Sequence, residues 1–364
     1  MFAKKNLVAA AALLAVAGAA QADVKLYGTL DMSVGSYEGA HTKGTSSRVT
    51  AVDSGDMITS FIGFAGSEDL GSGLKAEFAL ESFIGADTGK NLPNLAGGFW
   101  GRGSWVGLSG DFGRVAIGQY DNPLFTAGYT YNPFGSAMVF SPTMRHLYSS
   151  SASVGFDTGW VNSLTYESPV MGGFQLIGQY APKESTAPNT KNSWALAGSY
   201  NMGPFSAMLT YEDAGNTSVA GTLTSLAGTK SAYTANQKVW NLGASYDFGV
   251  LKAFGQYTNV KTSSMYSYDS TSSTPATIAT GLNIKDKIWQ LGVSVPVTGN
   301  SSVLASFGQK KNQDSGTTTK NEVFSLAYDY ILSKRTDVYA GIMNERQTSL
   351  ESGQSFAVGV RHSF

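Results

Sequence analysis

Three histidines, His41, His146 and His362, lie scattered along a chain of 364 residues that contains no cysteine. None sits in a His-x-x-x-His or His-Glu arrangement, so neither a metal centre nor thiol chemistry is expected. His146 neighbours Ser141 and Ser149 to Ser151, the residue types of a nucleophile–base pair, but in a serine-rich run typical of a solvated loop. There is no Gly-x-Ser-x-Gly elbow and no Gly-x-x-x-x-Gly-Lys phosphate loop. Gly101-Arg-Gly103 stands in a strand pattern with no helix after it, so it is no dinucleotide fingerprint. The sequence therefore predicts no enzyme and no cofactor. Its charged residues are few but ordered. Lys75, Glu77, Ala79 and Glu81 alternate with Leu74, Ala76, Phe78 and Leu80, which puts the charges on one face of a strand. Such a face acts on passing ions through its field, without making or breaking bonds.

The elements that carry this face are strands. From 239 to 248, Trp240, Leu242, Ala244, Tyr246 and Phe248 share one side, and Asn241, Gly243, Ser245 and Asp247 the other. The segments 287–295, 321–330 and 355–364 repeat the pattern, and no sustained helical stripe appears. A soluble sandwich also alternates, but its outer face usually carries many charges. Here charged residues are 14%, against roughly 25% in an ordinary soluble protein. Glycine is abundant at 43 residues, and aromatic residues make up 12%. Large apolar residues on one face, aromatic at the segment ends, with small or polar residues opposite, fit a transmembrane barrel with lipid outside and water inside. Acids and bases nearly balance, 26 against 25, so no nucleic-acid partner is expected.

Residues 1–22 have a positive start (Lys4, Lys5), a short apolar core (Leu7 to Ala17) and a small-x-small end (Ala20-Gln21-Ala22). They read as a cleaved signal peptide, leaving 23–364 as one barrel domain. Seven tight turns rich in Gly, Pro, Asn, Asp or Ser fall near 67–73, 110–113, 168–173, 201–204, 247–249, 296–301 and 333–335. They alternate with eight longer polar stretches, near 38–56, 86–98, 121–150, 182–193, 213–236, 260–285, 312–320 and 347–354. Fifteen connections join sixteen strands. The fold class predicted is all-β: a 16-stranded antiparallel transmembrane β-barrel with short periplasmic turns and long extracellular loops. Sixteen strands leave an aqueous channel. The stretch 121–150, with Gly128, Asn132-Pro133, Gly135 and Ser141-Pro142, is expected to fold inward and narrow it.

The segments Asp23-Val-Lys-Leu-Tyr-Gly-Thr-Leu-Asp31, Ile62-Gly-Phe-Ala-Gly-Ser-Glu-Asp-Leu-Gly-Ser-Gly-Leu-Lys-Ala76 and Ser104-Trp-Val-Gly-Leu-Ser-Gly-Asp-Phe-Gly-Arg-Val-Ala-Ile-Gly118 carry a resemblance. So do Asn162-Ser-Leu-Thr-Tyr-Glu-Ser-Pro169 and the closing Gly359-Val-Arg-His-Ser-Phe364. Together they resemble the general porins of the Gram-negative trimeric family, β-proteobacterial type, over the whole of 23–364. The resemblance implies a homotrimer in the bacterial outer membrane with an inward third loop. It also implies that Phe364 belongs to a signal read by the outer-membrane assembly machinery. The chain departs from the family where it has Phe61 and Gln119 in place of typical arginines, and Ala65 in place of a frequent basic residue. The loop reads Asn132-Pro133-Phe134-Gly135 without the usual glutamate. Basic wall and acidic loop are both depleted. Pore-lining or constriction candidates are Phe61, Lys75, Glu77, Glu81, Arg102, Arg114, Gln119, Asp121, Phe134 and Arg145. The expected function is passive diffusion of small hydrophilic solutes and ions, with outer-membrane lipid around the barrel. Two alternatives differ in class. One is a solute-specific channel with Tyr129, Tyr131, Phe134 and Phe140 as an aromatic slide. The other is a surface barrel acting through its loops as an adhesin.

Overall fold

The computed structural model describes residues 23–92, 97–149, 152–184, 191–218, 232–268, 284–314 and 316–364. The expected signal peptide lies outside them, as do parts of several long connections. In chain order the strands are β1 (Asp23–Tyr37), β2 (Val49–Ser54), β3 (Phe61–Gly71), β4 (Leu74–Gly85), β5 (Lys90–Asn91), β6 (Gly103–Gly110) and β7 (Gly113–Asp121). Two helices follow, α1 (Pro123–Thr130) and α2 (Pro142–Tyr148). Then come β8 (Gly159–Glu167), β9 (Phe174–Ala181), β10 (Ser193–Met202), β11 (Phe205–Ser218), β12 (Ala232–Asp247) and β13 (Lys252–Tyr268). The last five are β14 (Ile284–Thr298), β15 (Ser301–Asp314), β16 (Thr317–Ser333), β17 (Thr336–Gln347) and β18 (Gly353–Ser363).

Sixteen of these described strands form a closed antiparallel ring. β2 and β5 are short additions to it. The seam is where β1 meets both ends of the chain's path: Thr29 to Ser36 pair with Ser363 to Phe356, and Asp23 to Thr29 with Ser67 to Phe61. β2 continues the line of β3 along Met32–Tyr37 after a break at 55–60. The break has a tertiary cause. Asp31 Oδ2 accepts the Met57 and Ile58 N–H groups at 2.7 and 2.9 Å, so a side chain takes the place of a strand ladder. All seven expected tight turns join consecutive ring strands. The longer strands, such as β13 and β16 with 17 residues each, exceed the 9–11 of a membrane span and project past the hydrocarbon.

The polarity of the wall is inverted relative to a water-soluble protein. Leu242, Leu291, Leu326, Val358 and Phe356 are exposed, while their neighbours Asn241, Gln290, Ser325 and Ser355 are buried. Exposed apolar atoms around a whole circumference are stable only against lipid, and a polar interior only with water or hydrogen-bonded partners.

The seam is tight. The N–H of Phe364 donates to Gly28 O at 3.1 Å, and Gly28 N–H donates back to Phe364 O. A Cβ on Gly28 would lie 2.4 Å from Phe61 O and 2.7 Å from the Phe364 ring. Gly28→Val is expected to cost about 1–3 kcal/mol through overpacking, read as a lower temperature for loss of the compact band in semi-native gel electrophoresis. An unchanged transition would show that the seam yields.

Candidate functional site

The stretch between β7 and β8 is strapped to the polar inner face of the ring. α1 starts at the N-cap Asn122, whose side chain accepts from Phe125 N–H, with Pro123 at a position that needs no donor. α2 repeats this design with Ser141 and Pro142. Wall side chains hold both helix starts. Glu212 Oε1 accepts the Leu124 N–H at 2.8 Å, and Gln290 Oε1 accepts the Thr143 N–H at 2.8 Å. Gln256 donates to Gly128 O at 3.0 Å, and Gln237 bonds both Gly155 N–H and Ser153 O. At the far end Arg145 meets Glu345 at 2.7 Å, with only 11% and 5% of the two side chains exposed. Asn321 donates to the second oxygen of Glu345.

Glycines in the wall make room for this strap. A Cβ at Gly243 would stand 2.4 Å from the Tyr131 ring, one at Gly292 2.6 Å from Pro133, and one at Gly341 3.0 Å from Phe140. Phe134 and Phe140 stack with centroids 6.4 Å apart and pack with Met57, Val323, Tyr339 and Met343. The glycines that the composition suggested as small lumen residues thus have a second use, as sockets.

Beside the strap a cavity of about 530 Å³ remains open. Arg102 and Asp121 border it on one side, and Asp329 and Arg361 on the other. Met57 and Ile58 of the β2–β3 break and Tyr129, Phe134 and Gly135 of the strap complete its rim. A second cavity of about 270 Å³ shares Arg102, Asp121 and Tyr129 and adds Glu81, Gln119 and Glu167.

The charges here are mostly paired. Arg102 contacts Glu81, and its guanidinium lies 4.0 Å above the Phe61 ring centroid. Tyr27 donates to the same carboxylate at 2.5 Å. Arg114 bridges Glu77 at 2.9 Å and Glu167 at 3.2 Å, and Tyr120 donates to Glu167 at 2.9 Å. Arg361 lies 3.0 Å from Asp337 and 3.6 Å from Asp329. The Asp121 carboxylate forms no ion pair within 4.0 Å among the described residues.

Most sequence candidates thus gather in one region: Phe61, Glu81, Arg102, Gln119, Asp121 and Phe134, with Glu77 and Arg114 on the adjoining wall. Gln119 donates to Gly101 O. Lys75 stands apart, exposed at the short-turn rim. Arg145 fastens the strap instead of lining the opening. The aromatic slide is corrected in part, since Tyr131, Phe134 and Phe140 are buried at 2%, 3% and 0% exposure, which leaves Tyr129 as the half-buried aromatic at the opening, with only an edge of Phe134 on the cavity. Where a basic residue was expected at position 61, the Phe61 ring instead seats the guanidinium of Arg102. Asp329 and Arg361 were missed as lining residues. Their place on the polar face, opposite Tyr328, Tyr330 and Val360, was the available signal.

His146 in α2 is buried at 1% exposure, with its Nε2 unbonded among the described residues. Burial first, and the nearby positive Lys310 and Arg145, push its pKa down to about 3. The neutral ring is therefore the folded form. The stability it lends is present above the unfolded value near 6.5 and is lost as pH falls toward 3. His146→Gln is expected to flatten the pH dependence of thermal unfolding in that window. A wild-type slope in the variant would assign the acid sensitivity to other groups.

Comparison with known proteins agrees with this geometry. The family model described as Gram-negative porin matches residues 9–350. Outer membrane porin protein 32 of Delftia acidovorans is 33% identical over 389 aligned residues, covering 99% of this chain and all of that protein. An outer membrane porin protein of Bordetella pertussis is 30% identical over 412 residues, with coverage of 99% and 100%. The anion-selective porin from Comamonas acidovorans superposes with a TM-score of 0.73 at 27% identity, over 94% of this chain and all of that one. A ring with lipid-compatible sides outside, a polar passage inside and a family match along nearly its whole length has one consistent reading, and the chain belongs to the Gram-negative porins, the passive diffusion channels of the outer membrane.

Proposed function

We propose that this porin passes small hydrophilic solutes and ions with weak charge preference, through the gap between the strap and the wall. The observation that carries this reading is the pairing of charges around the cavity: Arg102 with Glu81, and Arg361 with Asp329 and Asp337. Paired charges present dipoles to a passing ion, and a dipole field falls off faster than that of a lone charge. Asp121 adds a carboxylate without an ion pair, which tilts the balance away from anions. Passage needs no cofactor and no chemical step, and the chain acts as a channel, not as an enzyme.

Several further assignments belong to the same reading. Residues 1–22 direct export and are removed. The long connections face outward and the short turns face the periplasm. Three copies assemble, each with its own passage. Phe364, whose backbone closes the seam, serves as the terminal signal for insertion.

Planar-bilayer recording tests the proposal. Conductance in steps of three, with a reversal potential under a tenfold salt gradient well below the roughly 59 mV of an ideally selective pore, is the expected result. A potential near that limit with anions favoured would overturn the weak-preference reading. Absence of conductance would overturn the channel itself.

A further inference from the structure

Six lysines line the outer surface of five consecutive strands at the long-connection end. Register sets Lys238 of β12 opposite Lys261 of β13, and Lys261 opposite Lys285 of β14. Lys287 of β14 faces Lys311 of β15, which faces Lys320 of β16. Partners across a ladder share a face, so these side chains form one arc on the side of Trp240 and Phe324, both exposed. On each strand the lysine follows an outward aromatic toward the long connection. Lys238 and Lys287 lie two residues from Trp240 and Trp289. Lys261, Lys311 and Lys320 lie four residues from Tyr257, Phe307 and Phe324. The aromatic row marks the membrane interface, so the lysines stand at headgroup level.

Like charges side by side in a sheet repel. Acidic neighbours do little to offset this. Lys238 has Asp213 at 3.6 Å, and Glu322 takes a hydrogen bond from Gln309 at 2.7 Å. Asp286, between Lys285 and Lys287, turns inward and accepts from Asn312. The other five lysines form no ion pair among the described residues. The short-turn end carries no such arc: there Lys334 and Arg335 are mixed with Asp69, Asp111 and Asp247.

We infer that the arc binds the phosphate-bearing headgroups of an anionic lipid in the leaflet at the long-connection end. The inference rests on the porin reading, which puts lipid against this surface. Adjacent strands lie about 4.8 Å apart, so five strands span about 20 Å, wide enough for more than one phosphate. Lysine ammonium groups bind phosphate as point charges, and their stems lie along the apolar wall while the heads reach the interface. The acyl chains then pack on the aromatic row directly below.

The test uses the full barrel in detergent micelles, with fluorescent bisphosphorylated lipid A and its phosphate-free counterpart as probes. Wild type is expected to retain the bisphosphorylated probe about tenfold more tightly than the phosphate-free one. Joint replacement of Lys261, Lys285, Lys287 and Lys311 by Gln should erase that difference, and Lys25→Gln with Lys334→Gln should leave it. Equal retention of both probes by wild type, or full retention by the fourfold variant, would overturn the site. Displacement of the lipid by inorganic phosphate at equal concentration would also overturn it, because the site would then be a free-anion site. So would a disulfide between two copies carrying Lys287→Cys at high yield, which would make this face a protein interface. Bilayer conductance on the same samples separates the two readings. An unchanged conductance in the fourfold variant confirms a folded channel, and lipid binding by a non-conducting wild type would sink the porin reading while leaving the lipid site.

Discussion

Arg145→Ala channels are expected to carry more current and to flicker between levels. Arg145 and Glu345 are both nearly fully buried where α2 meets β17, at 2.7 Å. Removing one partner of a buried pair costs roughly 3–5 kcal/mol when the other charge is left uncompensated, and here Lys310, whose charge also acts on Glu345, offsets part of that loss. Asn321 still donates to Glu345 but cannot neutralise it. The cheapest relief is for this end of the strap to leave the wall and admit water, which widens the passage. Replacing both residues, Arg145→Met with Glu345→Leu, removes the stranded charge and is expected to recover much of the stability and the quiet baseline, because paired apolar replacements are often neutral. Single-channel recording and thermal unfolding of the two single variants and the double variant form the cycle. Additive effects across it would mean that the pair does not fasten the strap.

The second large effect concerns charge. Arg102→Gln takes away the positive group beside Asp121 and leaves Glu81 with Tyr27 as its side-chain partner among the described residues. A unit charge about 8 Å from the ion path, at an effective dielectric of about 40, is worth on the order of 1 kcal/mol, or about fivefold in the cation-to-anion permeability ratio. The reversal potential should therefore move toward cations. Asp121→Asn should move it the other way. Phe61→Leu keeps the charge but removes the ring beneath Arg102, so it should loosen the guanidinium and produce a smaller shift. No shift in Arg102→Gln would place the ion path away from this wall.

Much of this architecture could be read in the chain because membrane burial imposes a simple code. Leu242 and Asn241 cannot exchange faces without putting an amide in lipid, so alternation revealed inside and outside together. The tight turns were equally legible, since Gly203-Pro204 or Gly110-Asp111 permit little else. The inner contacts were less so. Gln256 and Gln290 look like any lumen residue until the strap's carbonyls and amides arrive from more than a hundred positions away. Nothing local tells Arg145, which fastens, from Arg102, which lines. Phe61 read as a missing positive charge, because a ring that seats a guanidinium from residue 102 is a tertiary fact. The break before β3 was hidden for the same reason: the acceptor that satisfies its amides is Asp31, one strand away.

The strap lies against the arc from β10 to β17, and the cavity left beside it runs between Arg102 and Asp121 on one side and Asp329 and Arg361 on the other. The route through the molecule is therefore an off-centre slot. Permeability in such a slot depends on the smallest cross-section of a solute more than on its mass. Flat or rod-like molecules should outpace compact ones of equal weight, a geometric sieve that operates even when every charge is silent.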